Sequence, residues 1–384
     1  MNLVGNWNYP TSIRFGSGRI AELPAACREL GIGRALLVTD PGLAALPMVA
    51  EAVARNEAAG LPTGVYADVR SNPVGGNVAG GVRAFFEGGY DGVLAFGGGS
   101  VLDVGKAIAL MVGQSRSLWD FEDVGDNWTR VNAAAVAPIV AVPTTSGTGS
   151  EVGRASVITD TNAHVKRIIF HPKMLPVRVI CDPELTVGLP RALTAWVGMD
   201  ALSHNLEAYC APGFHPLADG IALEGMRLVH RALARVVADG SDLEARGSMM
   251  AASLMGATAF QKGLGAMHAL SHPVGAVLDA HHGLTTAIVM PYVLEHNREE
   301  VAERLARAAA YMGLEPSFDG FLGWVLALRA EVGIPPTLRA VGMSEAHAES
   351  LAPLAAIDPS GATNPLPLDE SVLRGLYLRA VVGT

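Results

Sequence analysis

Four short apolar runs punctuate the first half of the chain: Arg34-Ala-Leu-Leu-Val-Thr-Asp40, Gly92-Val-Leu-Ala-Phe96, Pro138-Ile-Val-Ala-Val142 and Val177-Arg-Val-Ile-Cys-Asp182. Each has the length of a strand and is continuously apolar rather than alternating, so each predicts a strand covered on both faces. Helically spaced stretches separate them, one running from Ser100 to about Met111. That order predicts a mainly parallel sheet between layers of helices. After Asp182-Pro183 the texture changes, and from Pro190 onward Ala, Leu, Met, Glu and Arg recur at helical spacing, as in 194–209, 217–238, 241–256 and 301–311. The pattern predicts an α/β domain over 1–185 and an all-helical domain over 186–384.

Composition narrows the function classes. A formal net charge of -9 argues against a general binder of nucleic acid or anionic membranes, both of which need a basic surface. The longest apolar segment, 133–142, is too short to span a bilayer and contains Pro138. Residues 1–15 lack the basic-then-apolar order of a secretory leader. The three cysteines, Cys27, Cys181 and Cys210, show no CxxC spacing and read as reduced, mostly buried thiols of a cytoplasmic protein.

Two loops in the α/β half suit a dinucleotide. Gly97-Gly-Gly-Ser-Val-Leu-Asp103 joins a strand to a helix. Consecutive glycines let a ligand approach the backbone, and the helix N-terminus offers unpaired N–H groups to a pyrophosphate. A tight turn with no ligand would look the same, and the spacing is not GxGxxG. Pro143-Thr-Thr-Ser-Gly-Thr-Gly-Ser-Glu151 also follows a strand and is crowded with hydroxyls that can hold phosphate and ribose oxygens. Asp40 ends a strand, where it could accept from ribose hydroxyls and repel a 2′-phosphate; a capping aspartate before Pro41-Gly42 fits equally well.

The helical half carries a second chemistry. Asp200 and His204 stand i, i+4 in a helical stretch, so both side chains share one face. Four of the 11 histidines fall between 268 and 282: His268, His272, His281 and His282. Together these residues predict an Asp/His₃ site, and a donor set without thiolate suits Fe(II), Zn(II) or a similar ion. Such an ion can act as a Lewis acid on an alcohol or carbonyl oxygen, and a histidine outside its coordination sphere can relay the proton. Spacing alone leaves open which of the four histidines ligate. His230 and His296 read as structural or surface residues.

These motifs, in this order, resemble the iron-containing (group III) alcohol dehydrogenases. The resemblance runs through Phe15-Gly-Ser-Gly18, Asn72-Pro73, Gly97-Gly-Gly-Ser100, Asp103 with Lys106, and Thr144-Thr-Ser-Gly-Thr-Gly-Ser-Glu151. It continues through Asp182-Pro-Glu-Leu-Thr186, Gly198-Met-Asp-Ala201, Glu207-Ala-Tyr209, His268-Ala-Leu-Ser-His-Pro273, His282-Gly283 and Thr363-Asn-Pro365. Carried over by motif, it implies metal ligation by Asp200, His204, His268 and His282, with Fe(II) or Zn(II) as the ion. It puts His272 in proton relay or substrate orientation and leaves His281 as a neighbour. Gly97, Gly98, Gly99, Ser100 and Asp103 match the pyrophosphate cradle of NAD. Thr144, Thr145 and Thr148 match residues around that cofactor, Lys166 a lysine near the nicotinamide ribose, and Asp40 and Asn72 further cofactor contacts. The implied fold is an N-terminal Rossmann-like α/β domain and an all-α C-terminal domain, the dehydroquinate-synthase-like architecture. The implied partners are a small alcohol or aldehyde and further copies of the chain in a homodimer or larger oligomer. One stretch departs from the pattern: Phe260-Gln-Lys-Gly263 is one residue shorter than Phe-x-Asn-Ala-Gly, which bears on the substrate rather than the metal.

Two other reactions share the fold. One is a transhydrogenase passing hydride between a hydroxy acid and an oxo acid. The other is a dehydroquinate-synthase-like lyase, whose polyanionic substrate needs extra cations. Between Asp200 and His282 the chain offers only Arg227, Arg231, Arg235, Arg246 and Lys262, mostly at helix-surface spacing, which disfavours the lyase. A non-catalytic NAD-binding module would have no use for four spaced ligands.

Overall fold

Strands and helices alternate through the first half as β1 (Ser12–Phe15), α1 (Leu23–Glu29), β2 (Ala35–Val38), α2 (Pro41–Ala44), α3 (Pro47–Ala58), β3 (Thr63–Tyr66), α4 (Gly75–Glu87), β4 (Gly92–Gly97), α5 (Gly99–Met111) and β5 (Ile139–Pro143). A hairpin, β6 (Ala155–Asp160) and β7 (Val165–Phe170), precedes β8 (Arg178–Cys181). The structure is a computed structural model that describes residues 11–163 and 165–383, so the leader reading of 1–15 falls mostly outside the described residues. Six strands form one parallel sheet in the order β1-β8-β5-β4-β2-β3.

The continuous apolar runs are explained by burial on both faces. Leu36, Val38 and Val93 point into one apolar cluster with Phe85 and Ile108, whereas Ala35, Leu37, Leu94 and Phe96 point into another with Leu23 and Val49. The four predicted strands are β2, β4, β5 and β8. The others were not legible as apolar runs: edge strand β1 has no buried residue, and β7 (Val-Lys-Arg-Ile-Ile-Phe) buries only Ile169. From β2 the chain steps outward to β3 and then returns to β4 on the other side of β2. The strand order therefore reverses between β2 and β4, where open parallel sheets present their ligand crevice at the carboxyl ends of the strands.

The second unit takes in Ser146–Thr148 and the chain from 187 to 383. It contains α6 (Arg191–Cys210), α7 (Pro216–Ala238), α8 (Leu243–Ala259), α9 (Ala266–Leu278), α10 (His282–His296), α11 (Arg298–Met312), α12 (Phe318–Glu331), α13 (Glu345–Ala356) and α14 (Glu370–Val382). Their apolar faces share one core. Helix α6 runs through it, and its buried residues include the polar Asp200, His204, Asn205 and Glu207. Asp279, in the left-handed region at φ 52°, ends α9, so His282 begins a separate helix. Gly283 lets α10 press onto α6, because a Cβ there would lie 2.4 Å from the Trp196 carbonyl oxygen. Among the described residues, no helix is long and apolar enough to cross a membrane.

Candidate functional site

Three helices of the second unit bring Asp200 and His204 (α6), His268 (α9) and His282 (first residue of α10) to one place. One donor atom from each lies within 4.8 Å of the other three. The His204 and His268 rings stack with centroids 4.7 Å apart, and His268 and His282 are 5.2 Å apart. His281 stays outside the group and packs its ring 4.9 Å from Trp196. His272, one turn beyond His268, stacks on His282 at 5.2 Å without joining the donor set.

Each of the three histidines is oriented through Nδ1. His204 Nδ1 faces the Gly147 carbonyl at 3.3 Å, His268 Nδ1 the Glu207 carboxylate at 2.6 Å, and His282 Nδ1 the Ser271 hydroxyl at 3.2 Å. A partner on Nδ1 sets the tautomer and turns Nε2 toward a ligand, the usual outer shell of a metal-bound imidazole. Glu207 also accepts the Met267 N–H at 2.7 Å, and Asn364 accepts that of Ala266 at 3.1 Å. These carboxylate and amide oxygens satisfy N–H groups at the start of α9, which its glycine N-cap leaves without a side-chain partner.

The arrangement fits a divalent cation. Asp200 Oδ1 and His268 Nε2 are buried without a hydrogen-bond partner, which is costly unless a ligand satisfies them. Burial pushes the His204 pKa down to about 4 against the opposing pull of Asp200, keeping its imidazole neutral as ligation requires. Burial also acts to lower that of His268, but the charge and hydrogen bond of Glu207 outweigh it and leave the pKa raised. A carboxylate behind a histidine strengthens it as a base toward protons and metals alike.

In the sheet unit, Asp40, Gly97 to Ser100, and Thr144 with Thr145 lie at the carboxyl ends of β2, β4 and β5. Gly98, Gly99 and Ser100 open α5 directly after β4, and Gly97 carries no side chain where a Cβ would fall 2.7 Å from that of Val101. Thr144 donates its N–H to the Gly97 carbonyl at 3.0 Å, and Thr145 lies against Gly98, whereas Thr148 belongs with the helical unit. Asn72 is left-handed at φ 48°, and the following Pro73 carbonyl accepts from Thr159, the cross-strand partner of Lys166. Asp40 is a capping residue, accepting the Leu43 N–H at 2.9 Å as the first turn of α2 begins. Asp103 points inward: its carboxylate accepts from Ser150 Oγ at 2.5 Å and Val157 N–H at 2.9 Å, and it pairs with Lys106 at 3.3 Å.

Known proteins match along nearly the whole length. Residues 10–183 match the family model "Iron-containing alcohol dehydrogenase", and residues 194–381 match "Fe-containing alcohol dehydrogenase family, C-terminal". The chain belongs to the iron-containing alcohol dehydrogenase family. A 4-hydroxybutyrate dehydrogenase from Cupriavidus necator is 39% identical over 367 residues, 93% of this chain and 94% of that protein. The crystal structure of a 1,3-propanediol oxidoreductase matches with a TM-score of 0.92 at 34% identity, covering 98% of this chain and 99% of that one. A sulfoacetaldehyde reductase from Bifidobacterium kashiwanohense, solved in complex with NAD+, matches with a TM-score of 0.90 at 27% identity and covers 100% of both chains.

Within this member of the family the structure adds residues that spacing did not single out. Glu207 was findable, since 200, 204 and 207 follow i, i+4, i+7 on one face of α6. Asp358 was not: it pairs with His272 from 86 residues away and carries no helical spacing to the cluster. Of the five cations read as mostly at helix-surface spacing, two are drawn in. Arg246 is buried and held by the Gly240 carbonyl and Thr194, and the Lys262 side chain, 2% exposed, pairs with Asp219 at 2.6 Å. Phe260, in the shortened stretch, packs 5.2 Å from the His204 ring. All three cysteines are buried, and burial raises the Cys27 and Cys210 thiols to about 12, removing them as nucleophiles.

Proposed function

We propose that this chain is an NAD(H)-linked dehydrogenase that interconverts a small primary alcohol, diol or hydroxy acid with its aldehyde. In this reading Asp200, His204, His268 and His282 hold one divalent ion, Fe(II) or Zn(II). The observation that carries it is the convergence of these four donors from three helices, with every histidine oriented through Nδ1. When bound, the ion supplies Lewis acidity toward the substrate oxygen. His272 takes the hydroxyl proton at Nε2 and passes it to solvent, since its Nδ1 is engaged by Asp358 at 2.8 Å. A bound NAD+ would supply the hydride acceptor, so that alcohol and NAD+ would give aldehyde, NADH and a proton.

NAD is supported by the glycine-opened α5 beside the strand-order reversal, and by the relative solved with NAD+. Gly97, Gly98, Gly99 and Ser100 hold the pyrophosphate, and Thr144, Thr145 and Thr148 are the threonines that the family motif assigns to the cofactor. Asp40 and Lys166 address the two riboses, Asn72 makes a further contact, and Asp103 shapes the cradle from within. Substrates of a few carbons are supported by relatives named for 4-hydroxybutyrate and 1,3-propanediol. The test is a panel of alcohols, diols and hydroxy acids followed by NADH absorbance, on protein stripped by a chelator and reloaded with Fe(II) or Zn(II). Activity should disappear and return with the metal. Full activity in the stripped protein, or in His268→Ala, would refute the reading.

A further inference from the structure

His272 Nδ1 lies 2.8 Å from Asp358 Oδ2, and the two side chains are only 10% and 8% exposed. Asp358 is fixed from its other side as well: it is the N-cap of the turn at Pro359–Thr363, and its Oδ1 accepts the Ser360 N–H at 2.9 Å. We propose that Asp358 is the positioning residue of His272, its carboxylate holding the ring in the Nδ1–H tautomer so that Nε2 is the proton acceptor. This rests on the role given to His272 above.

An ionised carboxylate has only acceptors, so a ring nitrogen beside it must carry the proton. Burial acts to raise the Asp358 pKa, but His272 and Ser360 outweigh it and leave it lowered, which keeps the carboxylate ionised. The geometry also rejects the other tautomer. Asparagine at 358 has one oxygen, and the Ser360 N–H claims it. The amide NH₂ then faces His272, which must accept at Nδ1 and move its own proton to Nε2. A base so inverted cannot take a hydroxyl proton, although the side chain has kept its size. The same inversion defines the aspartate-to-asparagine change in a serine-protease triad.

Asp358→Asn is tested on the zinc-loaded holoenzyme, labelled with ¹⁵N in the histidine rings. The His272 signals are identified by their loss in His272→Gln. The wild type should show Nδ1 protonated and Nε2 bare, and Asp358→Asn should exchange them with zinc still at one per chain. The same tautomer in both proteins, or a protonated Nε2 in the wild type, overturns the proposal. In turnover, Asp358→Asn should lower kcat at least about tenfold with KM changed less than about threefold. It should cause no further loss in a His272→Gln background; an equal loss in both backgrounds overturns the proposal. If the wild type oxidises no alcohol at all, the functional reading fails, and the tautomer exchange alone decides what Asp358 does.

Discussion

Glu207→Gln removes one acceptor from the junction that aims His268. In the wild type the two carboxylate oxygens divide the work, Oε1 accepting the Met267 N–H at 2.7 Å and Oε2 meeting His268 Nδ1 at 2.6 Å, with the residue 5% exposed. Glutamine has a single oxygen. If its NH₂ faces the Met267 N–H, two buried donors meet, at a cost of about 1–3 kcal/mol. If it faces His268, the ring must carry its proton on Nε2, the atom a metal needs. Loss of such an orienting partner lowers metal affinity about 10- to 100-fold, or about 1.4–2.7 kcal/mol. The assay is competition for Zn(II) against a chromophoric chelator, with urea unfolding of the metal-free protein alongside. The effect has a pH signature. Glu207 raises the His268 pKa above its ordinary 6.5, so in the wild type protons compete for this ligand at higher pH than in the variant. The affinity gap should be widest above that raised pKa and narrow as pH falls through it. A variant whose Kd stays within about twofold of wild type at pH 8, when His268→Ala loses binding, would refute the reasoning.

Substitutions separate the cap that Asp40 makes from the cofactor contact proposed for it. Asp40→Asn keeps an oxygen for the Leu43 N–H but removes the charge, so it should raise kcat/KM for NADP relative to NAD while leaving stability nearly unchanged. Asp40→Ala should shift cofactor preference likewise and also lose about 1 kcal/mol of stability in urea titration; an unchanged preference in both removes Asp40 from cofactor choice. His204 predicts the acid behaviour of the metal-free protein. Its folded pKa of about 4 lies below the ordinary 6.5, so the unfolded chain binds this proton first as pH falls. The stability from keeping it neutral is complete above 6.5 and is lost between 6.5 and about 4, roughly 3 kcal/mol in all. Unfolding free energies of wild type and His204→Asn should converge across that window, and parallel curves would contradict the burial argument.

Local pattern carried the parts of this protein whose physics is local. Strands β2, β4, β5 and β8 were legible because a strand buried on both faces must be apolar at every position. Asp200 and His204 were legible because helical periodicity places residues four apart on one face. Periodicity fails where a helix stops. His268, His272, His281 and His282 read as one cluster, but the left-handed Asp279 splits it between α9 and α10, so spacing across the break says nothing about which rings converge. Family motifs named the four donors without saying why those four.

Tertiary packing decided the rest. The tautomers depend on Gly147, Glu207, Ser271 and Asp358, which stand 57, 61, 11 and 86 residues from the rings they hold. Half-buried strands such as β7 are polar enough to pass for loops until a partner strand supplies their hydrogen bonds. Sequence by itself determined the element types and the kinds of donor available, because both follow from side chains close together along the chain. Only the folded helices decided which donors face one another and which nitrogen each imidazole presents, because those depend on contacts between segments that local spacing cannot relate.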